Sequence, residues 1–326
     1  MKIFVTGISG SDATGYLHET KKLADKHKKD FNIHSVGKMF LGYFNKINQL
    51  NYDHTKILNC AQVTKDMANG AVYEQILSKI KHEKNSIIDT HATFFWNKGF
   101  ERATNWYYIK ELNPDMFVTV IDYELRTKAR LDKHPAWSKQ KISLNEVLFW
   151  QNVEVMMTQS IAQNMKKPFF VIPRTHSETT LYHLMFTPNV KKAYVSFPMS
   201  NLKKPENIAR VNRFIPLLQK YYVVFNPRSV ELSKDFNDVQ AWQTTKRDLD
   251  WFIDQVDDVV MLIPEPVFTQ GGSSEVKEAH ENCKNVYGII PHYTGPFEEI
   301  QFDEIFKNEE EFIEFLEKKG FKKLKL

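Results

Sequence analysis

One short stretch near the start of the chain has the residue types and spacing to hold a phosphate. An apolar run, Ile3 to Val5, leads into GISGSDAT, from Gly7 to Thr14. The phosphate-loop pattern is Gly-x-x-x-x-Gly-Lys-Ser/Thr. Gly7 and Thr14 match it, but Asp12 stands at the second glycine and Ala13 at the lysine. Gly7 and Gly10 permit a loop whose backbone N–H groups turn inward, with a helix N-terminus behind it that favours an anion. Ser9 and Ser11 complete the set of nucleotide-binding candidates in the loop. Thr14 keeps the hydroxyl that a magnesium ion would take. The missing lysine removes a point charge on the transferred phosphates. Asp12 opposes a polyanion unless a metal or a turned-away rotamer relieves it.

Other residues carry chemistry less specifically. Asp89 ends an apolar strand, as a functional carboxylate or as a turn or cap. Arg126 and Arg130 are four apart and share a helix face, to clamp phosphates or to meet solvent. Glu275 follows Gly271, Gly272, Ser273 and Ser274. It is either a site carboxylate or a first-turn glutamate behind a serine cap.

The elements that must position these residues alternate. Strand-like runs at Lys2–Thr6, Ser86–Asp89, Met116–Ile121 and Phe169–Pro173 are separated by helical patterns at His18–Lys28, Thr64–Glu83 and Asn145–Met165. That rhythm predicts an α/β fold with a parallel sheet covered by helices on both faces. It restarts after residue 188. KAYVSFPM, YYVVFNP, DDVVMLIP and VYGIIPH read as strands, and Asn207–Lys220, DLDWFIDQ and Glu275–Asn282 as helices. Two domains are expected, 1–187 and 188–326.

The ordered motifs of the first half resemble the archaeal type of adenylate kinase, a P-loop nucleoside monophosphate kinase, over about residues 1–175. GISGSDAT stands for the phosphate loop. SVGKMF stands for a strand, glycine and apolar pair beside the monophosphate, and IIDTHATFFWNKGF for an Asp-Thr-His signature and Lys-Gly turn. ELNPDMFVTVID stands for a strand start, and RTKARLDKH for the arginine lid. The resemblance implies a P-loop kinase-like sheet that binds ATP and Mg. Asp89 then lies near metal and phosphates, and Arg126 and Arg130 form a thin lid. His91 is read as packing under the loop.

From about 191 to 292 the chain resembles the nucleoside 2-deoxyribosyltransferase superfamily, which includes nucleotide N-glycosidases. AYVSFPMSN, KYYVVFNPRS, RDLDWFIDQVDDVVML, TQGGSSEVKEAHE and VYGIIPH follow its order. The resemblance implies a smaller Rossmann-like, flavodoxin-like domain. Glu275 becomes the nucleophile or cation stabiliser beneath the anomeric carbon. Asp248, preferred to Asp250, protonates or holds the leaving base. Gly271 and Gly272 let the backbone approach the ligand, and Ser273 bonds its oxygens. Tyr194 lies against the ligand or fills the core, and Phe197, where a small residue is common, narrows the pocket or moves the base. Ser200 stands where nucleotide-cleaving members place an arginine, which leaves any phosphate to Arg210 or Arg228. Asp257 and Asp258 are read as structural carboxylates at the start of a strand. Such sites are often completed across a dimer, so a homo-oligomer is expected.

Composition narrows the classes further. The formal charge is +4 and basic residues are scattered, without the stripe that nucleic acid requires. No apolar stretch is long enough to cross a bilayer, and no signal-peptide pattern opens the chain. Cys60 and Cys283 are far apart and without metal-ligand company, which is the usage of a reduced cytoplasm; both are expected to be buried. The expected function is a nucleoside or nucleotide N-glycosidase or deoxyribosyltransferase fused to a nucleotide-binding domain. Two alternatives stand beside it: a nucleoside monophosphate kinase with an accessory ligand-binding domain, and a non-catalytic nucleotide sensor.

Overall fold

The computed structural model describes residues 1–48, 54–198, 204–229, 243, 247–265, 270–292 and 295–326. The chain divides into two compact units, Met1–Thr179 and Thr180–Leu326. The division precedes the boundary near 188 expected from sequence, because nearly all of the helix Thr179–Phe186 belongs with the unit that follows it.

The first unit runs β1 (Lys2–Thr6), α1 (Ala13–Lys26), β2 (Asn32–Ser35), α2 (Val36–Asn48), α3 (His54–Leu58), α4 (Gln62–Ile80), β3 (Ser86–Asp89), β4 (Thr93–Trp96), β5 (Gly99–Arg102), α5 (Trp106–Leu112), β6 (Met116–Ile121), α6 (Glu124–Lys133), α7 (Leu144–Asn164) and β7 (Phe169–Pro173). Its main sheet is parallel, in the order β2-β3-β1-β6-β7. Every residue of β3 and β6 is buried, as befits strands covered on both faces. Phe4, Ile88 and Phe117 pack on Val72, Tyr73 and Ile76 of α4. The strand order reverses at β1, so the loop after β1 opens where doubly wound sheets hold ligands.

Sequence patterning did not anticipate the antiparallel pair β4–β5. Its two-residue turn puts Asn97 and Lys98 at φ 49° and 63°, the left-handed pair that matches strand twist.

The second unit follows α8 (Thr179–Phe186) with β8 (Lys192–Ser196), α9 (Pro205–Leu218), β9 (Val223–Phe225), a π-helix (Arg247–Ile253), β10 (Asp258–Leu262), α10 (Gln270–Glu281), β11 (Asn285–Ile289), α11 (Pro296–Glu299), β12 (Glu304–Phe306) and α12 (Glu309–Lys318). The parallel order is β9-β8-β10-β11-β12, that is 2-1-3-4-5, with its switch point between β8 and β10. Strand parity then assigns the faces. Ala193 and Val195 of β8, with Val260 and Leu262 of β10, pack under Val211 and Phe214 of α9 and Phe312 and Leu316 of α12. Tyr194 and Ser196 therefore point the other way, toward the face that α10 covers.

Glu154 locks the first unit together from the middle of α7. It is fully buried. Its carboxylate accepts from the N–H of Ala92 at 2.7 Å, the N–H of Thr93 at 2.8 Å and the Thr93 hydroxyl at 2.6 Å, and also from the N–H of Gly7. One side chain thus joins α7, the connection between β3 and β4, and the phosphate-loop candidate. Burial pushes its carboxyl up to about 7, against the pull of those donors. The folded state then binds a proton that the unfolded chain, at the ordinary 4.5, releases earlier. This contribution to stability is present below pH 4.5 and is lost as pH rises through about 7, a change on the order of 3 kcal/mol. Glu154→Gln, which cannot ionise, is expected to show a flatter fall in urea-unfolding free energy between pH 5 and 8 than the wild type. Parallel pH profiles for the two proteins would contradict this account.

Candidate functional site

In the first unit the loop after β1 is shaped by contacts to its backbone. Gly7 has no room for a side chain: an added Cβ would lie 2.6 Å from the Ser11 hydroxyl and 2.9 Å from the Val120 carbonyl. His91 meets the Gly7 carbonyl through Nδ1, in keeping with a histidine packed against the loop. Gly10 takes φ 87°, and its carbonyl accepts from Arg130 Nη1 at 2.8 Å. Asp12 takes φ 61°, the left-handed conformation that a glycine would otherwise supply and that Asp tolerates. Its carboxylate turns away and pairs with Arg174 Nε at 2.8 Å. Thr14, on the first turn of α1, donates to Asp89 Oδ2 at 2.7 Å. Asp89 is buried at the end of β3, and burial raises its carboxyl despite hydrogen bonds from Thr14 and Ser35.

These residues wall a cavity of about 410 Å³. Gly7, Ser9, Gly10, Ser11 and Thr14 form one side with Asp89, and Phe40, Leu58, Phe94 and Trp137 supply apolar wall. Lys65, paired with Glu101 at 2.5 Å, lines the same space, as do Arg102 and Asp66. The Thr14 hydroxyl and the Asp89 carboxylate are hard oxygen ligands side by side, a pair that fits a magnesium ion retaining several waters. The helix N-terminus behind the loop suits an anion. The lysine charge is missing.

Arg126 and Arg130 converge on one carboxylate that sequence reading did not single out. Asp122, just past β6, is 1% exposed. It binds Arg126 Nη2 at 2.8 Å and Arg130 Nη1 at 2.6 Å. The helix-face spacing of the arginines is as expected, on α6, but both are held at the foot of the helix. Arg130 reaches the cavity wall and Arg126 does not.

In the second unit Glu275 is the focus. Burial raises its carboxyl above the ordinary 4.5, and the hydroxyls of Ser196 and Tyr194 pull it back. Tyr194 donates to Oε1 at 2.9 Å, and Ser196 donates to Oε2. Both donors project from the carboxyl half of β8, beside the switch point. Tyr194 is fully buried, and burial with the charges of Glu275 and Asp248 holds its hydroxyl far above the ordinary tyrosine range. It stays protonated and donates. Asp248, 7% exposed on the π-helix, is the acid whose charge reaches this hydroxyl, whereas Asp250 is exposed. The unit therefore brings two carboxyl groups and two hydroxyls to one sheet edge.

Several sequence readings change. Gly271, Gly272 and Ser273 lie in the first turn of α10, not in a turn ahead of it, and Glu275 is one turn further along. An added Cβ at Gly271 meets nothing within 4 Å, so no close approach within the chain requires that glycine. Phe197 does not narrow a pocket beside Glu275. Strand parity sends it to the opposite core with Ala193 and Val195, and Arg228 covers its ring at 4.5 Å. Ser200 lies outside the described residues. Arg210 forks onto Glu309 at 2.6 and 2.7 Å on the α9–α12 side, which commits it to structure. Asp257 and Asp258 act as sheet-edge carboxylates, accepting from the Lys192 N–H at 2.8 Å and the Asn285 amide at 2.6 Å. Cys60 is half-buried and Cys283 exposed, not both buried, and neither forms a disulfide. Among the described residues no helix is long and apolar enough to cross a membrane.

Sequence reading missed Glu154, Asp122, Arg174 and Ser196. Asp122 carried a signal, since it follows an apolar strand as Asp89 does. Ser196 is two residues from Tyr194 and hence on its face. No family model matches the chain, and no curated protein matches it.

The hydroxyl contacts to Glu275 make a measurable prediction. Removing the Tyr194 donor weakens support for the ionised carboxylate, so its pKa rises. Carboxyl ¹³C NMR titration of glutamate-labelled protein is expected to place Glu275 about one pH unit higher in Tyr194→Phe than in wild type. An unchanged or lower value would show that the hydroxyl does not hold the carboxylate.

Proposed function

We propose that the second unit is a nucleoside or nucleotide N-glycosidase or (deoxy)ribosyltransferase that works through Glu275, and that the first unit binds a nucleotide. The observation that carries the reading is the Glu275 carboxylate, held by the Tyr194 and Ser196 hydroxyls at the switch-point edge of a parallel sheet. The resemblance to the nucleoside 2-deoxyribosyltransferase superfamily, in which a glutamate plays this part, supports it further.

The chemistry follows from that placement. An ionised Glu275 oxygen attacks the anomeric carbon as the bond from that carbon to the base nitrogen breaks. The bond's electrons leave with the base, and Asp248, when protonated, supplies the proton that neutralises it. Water or a second base then attacks the anomeric carbon as its bond to the Glu275 oxygen breaks, the nucleophile's proton passes to the Asp248 carboxylate, and Glu275 is freed. Tyr194 and Ser196 fix the carboxylate's orientation and keep it ionised, and the raised carboxyl sets an acidic limit on activity. Such a site commonly draws residues from a second copy, so the active species in this reading is a homo-oligomer in the cytoplasm.

The first unit has its own supporting observation. The Gly7–Thr14 loop, the Thr14–Asp89 pair and the cavity beside them suit a nucleotide phosphate with magnesium. ATP would supply a transferable phosphate there, with Thr14 and Asp89 on the metal. The loop without its lysine favours binding over rapid transfer, which makes a regulatory site or a slow nucleoside monophosphate kinase the second reading.

The test is release of free base from a panel of ribo- and deoxyribonucleosides and their monophosphates, with and without an acceptor base, followed by chromatography. Wild type is expected to release base from at least one member. Glu275→Gln is expected to fall below about a thousandth of that rate. Release that survives in Glu275→Gln, or no release from any member, would overturn the reading.

A further inference from the structure

The phosphate-loop candidate holds a carboxylate at the position where its backbone demands a left-handed residue. Asp12 borders the cavity, at φ 61° and ψ 34°. Its side chain makes no capping bond to the helix N-terminus. It folds over Gly15 instead, where an added Cβ would fall 2.3 Å from Oδ1. Arg174, just past β7, receives it. Nε donates to Asp12 Oδ2 at 2.8 Å, while Nη1 and Nη2 fork onto Glu19 of α1 at 2.9 and 2.7 Å. The guanidinium also lies over the Tyr16 ring at 5.9 Å, and the Tyr16 hydroxyl donates to the Ser177 carbonyl. Backbone anchors Arg174 as well, its N–H donating to the Ile121 carbonyl at 2.7 Å.

Arg174 is not among the residues that wall the cavity. Of the groups it bonds, Asp12 is the one that borders the cavity. Within the cavity, Ser11 is 1% exposed, and its hydroxyl has no hydrogen-bond partner among the described residues. The loop thus has an unused hydroxyl, with its one carboxylate held by Arg174.

We propose that Arg174 is a positioning residue for anion binding at this loop: it holds the Asp12 carboxylate on the flank of α1, so that a nucleotide phosphate meets donors rather than a negative charge. The proposal rests on the reading of the first unit as nucleotide-binding. It adds a specific dependence: the loop tolerates Asp12 only because a residue from the far end of the same unit neutralises it. A freed Asp12 would stand within a few ångströms of the phosphates, where like charges repel strongly in a partly buried setting.

The experiment is isothermal titration of ATP with magnesium into the full-length chain. Five proteins are compared: wild type, Arg174→Met, Asp12→Gly, Asp12→Gly/Arg174→Met and Gly15→Ala. Arg174→Met is expected to weaken binding at least about tenfold. Asp12→Gly suits the left-handed backbone and is expected to bind as tightly as wild type or tighter. The double variant is expected to return to within about threefold of Asp12→Gly, the non-additivity of a coupled pair. Gly15→Ala keeps both charges but drives the carboxylate off its flank, and is expected to weaken binding as Arg174→Met does. Wild-type affinity in Arg174→Met overturns the proposal while leaving nucleotide binding intact. A double variant as weak as Arg174→Met also overturns it, because Arg174 would then serve the fold and not Asp12. No heat or saturation with folded wild type overturns the nucleotide reading, and the proposal falls with it.

Discussion

A carboxylate taken out of water must be met by donors, and that requirement organises both units. Glu154 takes backbone N–H groups from Gly7, Ala92 and Thr93, so the loop after β1 and the connection after β3 are hung from one helix. Asp122 takes two arginines and thereby fixes α6 against the end of β6. Asp12 takes Arg174. Glu275 takes hydroxyls alone, and the difference matters. Burial raises its carboxyl, and no cation stands among the causes that lower it. A carboxylate neutralised by arginine is a structural tie. One held by two hydroxyls keeps its charge available to a ligand that develops positive charge, as a sugar ring losing its base does.

Parallel-sheet geometry decides which residues share that opportunity. Tyr194 and Ser196 reach Glu275 because they are an even number of residues apart on β8, while Ala193, Val195 and Phe197 fill the opposite core. In the first unit the sheet order turns at β1 and leaves the loop facing an open edge. Both units use the carboxyl end of a parallel sheet, where helix N-termini and loop backbones gather. The proposed nucleotide chemistry of each rests on that shared logic, with phosphate as the proposed target in one and an anomeric carbon in the other.

Much of this was legible in the residues. The central strands are continuous apolar runs, and β1, β3, β6 and β7 fall on the expected residues because buried parallel strands need nothing else. The long helices α4, α7 and α9 are found within a few residues of their expected bounds. The β4–β5 pair was hidden because its aromatic strand resembles any apolar run and its partner is polar and largely exposed. The helical setting of Gly271 was hidden because glycine is a poor helix former, and packing overrides that preference. Partner choice was the least visible. Arg174 lies 162 residues from Asp12 along the chain, and nothing local marks either as the other's counter-charge. Asp12 could be recognised as a departure from the phosphate-loop pattern, but its neutralisation could only be seen in three dimensions.

The most direct test of the account is to trap the reacting carboxylate. Incubation with 2-deoxy-2-fluoro analogues of the nucleosides and nucleotides that release base, followed by acid quench and peptide mass mapping, reads which residue bonds to the sugar. Fluorine beside the anomeric carbon destabilises the positive charge and slows turnover of the intermediate. The account predicts a fluoro-sugar adduct on the peptide containing Glu275, lost in Glu275→Gln. An adduct on another residue, or base released from the analogue with no adduct on Glu275, would contradict it.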